Sequence, residues 1–236
     1  MAKAAIELYR AGLRSICLAA VVFAAQLNAV QNTEVKQSSA IYKNNPRYEG
    51  RNGLFRIYKS DGVKAVMLGD SITEWVEWNE LLSRDDIANR GIAADITEGF
   101  LNRLDEVYRL KPKLCFIMGG INDITRGIPT ETAAANIEKI IDELQKRKIE
   151  AIVQSTLYVA QDFQRSAAIN KNVDELNDKL KAIAAKKGVL FINLNEKLAK
   201  NGSLDMKYTY DGAHLNGAGY ERWRDLIAPI IEKPVN

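Results

Sequence analysis

Ser71, Asp211 and His214 are the residues of this chain whose types and spacing suit nucleophilic chemistry. His214 is the single histidine in the sequence, and Asp211 precedes it by three positions. A carboxylate at that spacing within one loop can meet the imidazole Nδ1–H and fix the tautomer that leaves Nε2 free to take a proton. A serine hydroxyl needs such a base, because it is a poor nucleophile while protonated. The bland alternatives are a bystander histidine and a serine that merely caps a helix. Chain order does not decide between them, since a triad is defined by geometry. Attack on an ester carbonyl creates an oxyanion, and three groups are candidates to hold it: the Ser71 N–H, the Ala94 N–H and the Asn122 side-chain amide. A preorganised donor of this kind contributes about 10²–10³ in rate.

These residues need elements to carry them. In Val66-Met67-Leu68-Gly69-Asp70-Ser71-Ile72-Thr73 an apolar run breaks at a glycine, an acid and a serine, ahead of a helix expected over 74–82. That pattern is a strand emptying into a tight turn at a helix N-terminus, where backbone N–H groups lack intrahelical partners. Further strand-like runs lie at 86–89, 114–118, 151–155 and 189–193, with the first at 64–68. Between them, Ile137, Ile140, Ile141 and Leu144 recur at helical spacing within 130–148, as do Ile169, Val173, Leu176, Leu180 and Ile183 within 166–187. Thr130 is the expected N-cap of the first of these helices and Gly188 the stop of the second. A helix over 48–58 precedes the first strand and another over 217–231 closes the chain. Alternating strands and helices predict a parallel sheet covered on both faces, and right-handed crossovers bring the C-terminal strand ends to one edge. The stretches at 69–72, 89–95, 118–123 and 211–214 can all reach that edge, where open α/β folds gather their ligands.

The chain has 236 residues, 47% apolar and 27% charged, which suits one globular domain. Its net charge of +3, scattered without a basic stripe, gives no sign of a nucleic-acid partner. Residues 1–29 differ in kind. Lys3, Arg10 and Arg14 precede the apolar run 16–25, and small residues follow up to Ala29. This is the pattern of a secretory signal peptide, too short to span a bilayer, so a periplasmic or secreted domain over 30–236 is expected, without a stable membrane span. An amphipathic helix packed on the domain is the alternative. Cys17 lacks a lipoprotein box around it, and Cys115, inside an apolar strand, reads as a small hydrophobe. One histidine with two distant cysteines cannot make a zinc site of the usual kind, and no phosphate-binding or G-x-S-x-G motif occurs. Neither a metal nor a cofactor is expected.

Gly69-Asp70-Ser71-Ile72, Asn89-Arg90-Gly91-Ile92-Ala93-Ala94-Asp95, Gly120-Ile121-Asn122-Asp123 and Asp211-Gly212-Ala213-His214 together resemble the four blocks of the SGNH (GDSL) hydrolases, over roughly residues 60–230. The resemblance implies a flavodoxin-like three-layer α/β/α sandwich with about five parallel strands and a metal-free serine esterase mechanism. It makes Ser71 the nucleophile, His214 the base and Asp211 its orienting acid, with Ser71, Ala94 and Asn122 as the oxyanion hole. The sequence departs from the family at Ala94, where the second block usually carries glycine. Should that turn require a positive φ, alanine is strained there.

Around the triad, Asp70, Trp75, Asp95, Asp123 and Arg126 are candidates to line a substrate pocket. All but Asp95 have a structural alternative. Asp70 can brace the nucleophile turn, Trp75 and Trp78 can serve as core or as a lid, and Asp123 and Arg126 can form a salt-bridged loop. The expected substrate is a small ester, an O-acetyl or other short acyl group on a carbohydrate, because an export signal fits such a role and no long apolar insertion provides a tunnel. A lysophospholipase or thioesterase of the same family, and a non-catalytic binding module on the same fold, are the alternatives.

Overall fold

A computed structural model describes residues 42–233 apart from 44 and 60. The expected leader over 1–29 lies outside the described residues. The described chain builds one parallel sheet from β1 (Ala65–Gly69), β2 (Ile87–Gly91), β3 (Leu114–Met118), β4 (Glu150–Gln154) and β5 (Leu190–Ile192), in the order β2-β1-β3-β4-β5. Every residue of β1 and β3 is buried. Successive side chains point to opposite faces, so helices must cover both sides of the sheet. In the helix Thr130–Lys146, Ile137, Ile140, Ile141 and Leu144 are all buried. In Ser166–Lys187 the same holds for Ile169, Val173, Leu176 and Leu180, while Ile183 is half-buried. Burying one such side chain contributes roughly 1.5–3 kcal/mol. Gly188 ends the second helix at φ 66°, the left-handed conformation expected of a glycine stop. No helix among the described residues is long and apolar enough to cross a membrane.

The register explains how distant stretches meet. Gly69, the last residue of β1, lies opposite Gly91 on β2 and Met118 on β3. The three chains therefore leave the sheet at one level, beside the β1/β3 junction where strand order reverses. The turn after β1 packs onto these ends so closely that side chains are excluded. A Cβ on Gly91 would stand 2.2 Å from the Glu74 backbone nitrogen, and one on Gly69 2.0 Å from the Thr73 hydroxyl.

Three local expectations change. The helix expected over 74–82 is two short pieces, Ser71–Glu74 and Trp78–Leu81. The Asn89 side-chain amide donates to the carbonyls of Thr73, Glu74 and Val76 at 3.0, 3.1 and 3.1 Å, which ends the first turn from outside. Trp78 then folds inward, 1% exposed, with its indole N–H on the Thr73 carbonyl. Thr130 is not a cap but the first helical residue; Pro129 holds the cap position, and the Thr130 hydroxyl donates instead to Glu175 at 2.7 Å. The first described helix begins earlier than expected, at Pro46, because Asn45 caps it and proline is pre-set for a first helical turn.

Candidate active site

Ser71 opens its short helix, but the capping falls to its neighbour. The Asp70 carboxylate accepts the Ile72 N–H at 3.0 Å. The Ser71 hydroxyl is thereby left for other work, and its Oγ lies 3.0 Å from His214 Nε2. On the far side of the ring, Nδ1 lies 2.6 Å from Asp211 Oδ2. The loop that holds these two is closed on itself. Thr209 pairs with Leu215, its hydroxyl donates to the His214 carbonyl, and Asp211 Oδ1 accepts the N–H groups of Ala213 and His214 at 2.9 and 2.7 Å. Burial works to raise the Asp211 pKa, but the hydrogen bonds from His214 and Ala213 outweigh it and hold the carboxyl below its ordinary value. Ser71, Asp211 and His214 thus form one continuous hydrogen-bonded line.

The loop over 92–95 stands beside Ser71, and almost every polar group in it is engaged. The Ala93 N–H donates to Glu74, and the Ala93 carbonyl accepts from Asn45 at 2.8 Å. The Ala94 carbonyl accepts from Arg126 at 2.9 Å, the Asp95 carbonyl from Asn122 at 3.0 Å, and the Asp95 N–H donates to the Ile92 carbonyl. The Ala94 N–H makes no hydrogen bond within the described residues. Neither does the Ser71 N–H. The second N–H of Asn122 faces Asp70 Oδ2 at a long 3.4 Å. Ala94 does take a positive φ, 60°. The left-handed conformation costs a non-glycine residue roughly 1–2 kcal/mol, so Ala94→Gly is expected to stabilise the fold by about 1 kcal/mol after the glycine's larger unfolded-state entropy is allowed for. Urea denaturation measures this; a less stable variant would mean that the methyl group makes contacts worth more than the strain it imposes.

Behind this loop sits a cluster of buried acids. Arg103, itself buried, donates to Asp95 at 2.8 Å, to the Arg90 carbonyl at 2.7 Å and to the Gly69 carbonyl at 2.8 Å, so one guanidinium ties the ends of β1 and β2 to the loop. Asp123 accepts both the N–H and the hydroxyl of Thr97. Burial pushes the pKa of Asp70 up to about 7 and that of Asp123 up to about 6, and burial raises Asp95 against the pull of Arg103. Asp70 and Asp123 therefore hold a proton more tightly when folded than an ordinary carboxyl does, and stability falls as pH rises from about 4 through about 7. The melting temperature is expected to be higher at pH 5 than at pH 8. The reverse order would show that these two carboxyls are held ionised in the folded chain. Carboxyls shifted downward, such as Asp211 and Asp86, act in the opposite sense, but only below the ordinary carboxylate range.

The expected pocket residues separate into two groups. Asp70, Asp95 and Asp123 are 0–1% exposed and turned onto backbone, Arg103 and Thr97. They brace the site from behind, and the hydrogen bonds each one accepts offset the cost of burying it. Trp78 is likewise core, edge-on to Trp223 at 4.8 Å. Trp75 and Arg126 do reach solvent. Trp75 is 46% exposed and stacks on the His214 ring at 4.2 Å. Tyr210, which the sequence did not single out, lies near-parallel to the same ring at 6.1 Å and is 59% exposed. Glu74 was also missed. It holds the Ala93 N–H and is itself paired with Arg47 and Arg51, and no local pattern marks that role. Cys115 is buried on β3, its thiol pushed up to about 12, and plays no part here. Among the described residues, no group of three His, Cys, Asp or Glu side chains is placed to hold a metal ion.

Residues 67–222 match the profile of the GDSL-like lipase/acylhydrolase family, and the chain belongs to that family. Its fold is similar to that of a GDSL-like lipase from Bacteroides thetaiotaomicron, with a TM-score of 0.71 and 26% identity over 82% of this chain and 100% of that one. The fold alone is shared with an acetylxylan esterase from Geobacillus stearothermophilus, with a TM-score of 0.61 and 19% identity over 75% of this chain and 97% of that one. An N-acylneuraminate cytidylyltransferase from Streptococcus agalactiae is 23% identical over 164 residues, 70% of this chain and 37% of that protein. The chain thus spans little more than a third of the length of the curated relatives it matches.

Proposed function

We propose that this acylhydrolase cleaves short-chain carboxylic esters through an acyl-enzyme on Ser71, and that its substrate is an O-acetylated carbohydrate. The observation that carries the reading is the line from Ser71 Oγ through His214 to Asp211, at 3.0 and 2.6 Å, beside an Ala94 N–H without a partner among the described residues. His214 Nε2 takes the hydroxyl proton as Oγ bonds to the carbonyl carbon. The negative charge moves to the carbonyl oxygen and meets the N–H groups of Ser71 and Ala94 and the loosely held N–H of Asn122. His214 then hands its proton to the departing alcohol oxygen as the C–O bond breaks, leaving the acyl group on Ser71. Water repeats the sequence with the same base and releases the acid. A carbohydrate is favoured because the exposed large apolar rings beside His214 are Trp75 and Tyr210, flat faces suited to a sugar ring. Acetylxylan and N-acylneuraminate in the names of similar proteins point the same way.

The test is hydrolysis of p-nitrophenyl esters from acetate to palmitate, alongside acetate release from acetylated xylan and acetylated sialic acids. Fastest turnover at acetate, and acetate release that Ser71→Ala abolishes, are expected. A rate that keeps rising toward palmitate would instead mark a lysophospholipase or thioesterase.

A further inference from the structure

Arg126 stands one helical turn after Asn122, and the two side chains do the same thing on adjacent peptides. Asn122 donates to the Asp95 carbonyl at 3.0 Å and Arg126 Nη1 to the Ala94 carbonyl at 2.9 Å. The guanidinium is thus fixed on the carbonyl of the residue whose N–H is a candidate oxyanion donor. That single bond occupies one of its five donors. The side chain is exposed, and no carboxylate lies within ion-pair distance of it among the described residues, whereas buried Arg103, half-buried Arg84 and exposed Arg147 each hold one. The acids near it are already committed. Asp95 is held by Arg103, and Asp123 is buried on Thr97. A pinned guanidinium with a free edge, on the candidate oxyanion loop and without an ion-pair partner among the described residues, is a receptor for a planar anion.

We propose that Arg126 binds a carboxylate of the substrate, so that the natural substrate is an acylated sugar acid. The proposal rests on the ester-hydrolase reading above and narrows it. A carboxylate suits the flat fork of the guanidinium, and a compact ring can present its acyl group to Ser71 and its acid to Arg126 at once. The aromatic faces of Trp75 and Tyr210 fit such a ring better than a fatty chain.

The experiment compares an O-acetylated glucuronate with the O-acetylated glucose that differs from it only at C6, and adds a lysophosphatidylglycerol, whose anion is a phosphate. Each is assayed with the wild-type chain, Arg126→Gln, Arg126→Lys and a Ser71→Ala blank. The wild type is expected to prefer the sugar acid by roughly tenfold or more in kcat/KM, expressed in KM and shrinking with salt. In Arg126→Gln the ratio of acid to neutral sugar falls to about one, and Arg126→Lys lies between, keeping the charge without the fork. A wild-type ratio near one overturns the proposal. So does an equal loss on both sugars in Arg126→Gln, which would show that Arg126 only holds the loop. Arg126-dependent preference for the lysophospholipid would assign the anion to a phosphate and overturn it as well. Ser71-dependent cleavage of the neutral sugar without acid preference defeats this inference alone; the absence of Ser71-dependent cleavage of any ester defeats the hydrolase reading with it.

Discussion

Ser71→Ala is expected to lower kcat/KM for p-nitrophenyl acetate by about 10⁴–10⁶-fold, with the fold intact. The loss is large because nothing else on the site can form the acyl bond. Removing the Ser71 hydroxyl costs little stability, since Asp70 and not Ser71 holds the Ile72 N–H. His214→Ala should fall to nearly the same level, and the double variant no lower, because hydroxyl and imidazole act as one unit at 3.0 Å. Circular dichroism on each variant separates lost chemistry from lost structure. A Ser71→Ala rate within tenfold of wild type would remove the serine from the mechanism, and additive losses in the double variant would separate the two groups.

Asp211→Asn is expected to cost about 10⁴-fold in kcat and to be worse than Asp211→Ala. The reason is the way the two carboxylate oxygens are used. Oδ1 accepts two backbone N–H groups, from Ala213 and His214, and Oδ2 faces the imidazole Nδ1. An asparagine must keep its oxygen where the two N–H groups point, which turns its NH₂ toward Nδ1. The imidazole then accepts there and carries its proton on Nε2, where it cannot take one from Ser71. Alanine removes the orienting group without imposing that tautomer, since solvent reaches this side, the Asp211 side chain being 38% exposed. Steady-state kinetics of both variants decides it; an asparagine variant more active than the alanine one would show that charge on residue 211, not tautomer control, is what His214 needs.

The chemistry-bearing stretches were legible because each is a local signal. An apolar run ending in Gly69-Asp70-Ser71 can only be a strand entering a turn, and Asp211 three places before His214 can close a hydrogen bond within its own loop. The spacing of Ile137, Ile140, Ile141 and Leu144 marked a buried helical face in the same way. Local signals also misled where a distant partner intervened. Asn89 caps three carbonyls and breaks the helix expected over 74–82. Glu175 claims the hydroxyl of Thr130, and Thr97 draws Asp123 away from the surface.

By itself, then, the chain's order of residues determined the family, the parallel sheet and which hydroxyl, imidazole and carboxylate are present at strand ends. Tertiary structure alone decided that the Asp70 carboxylate takes the Ile72 N–H while Ser71 stays free, and that Ala94 sits at φ 60°; among the described residues its N–H has no partner and Arg126 beside it no ion-pair partner. The division has a physical cause. Backbone conformation and periodicity are set by neighbours a few positions away, whereas the partner of a polar group is whichever one the fold brings within about 3 Å. For Ser71 and His214 that partner lies 143 positions along the chain.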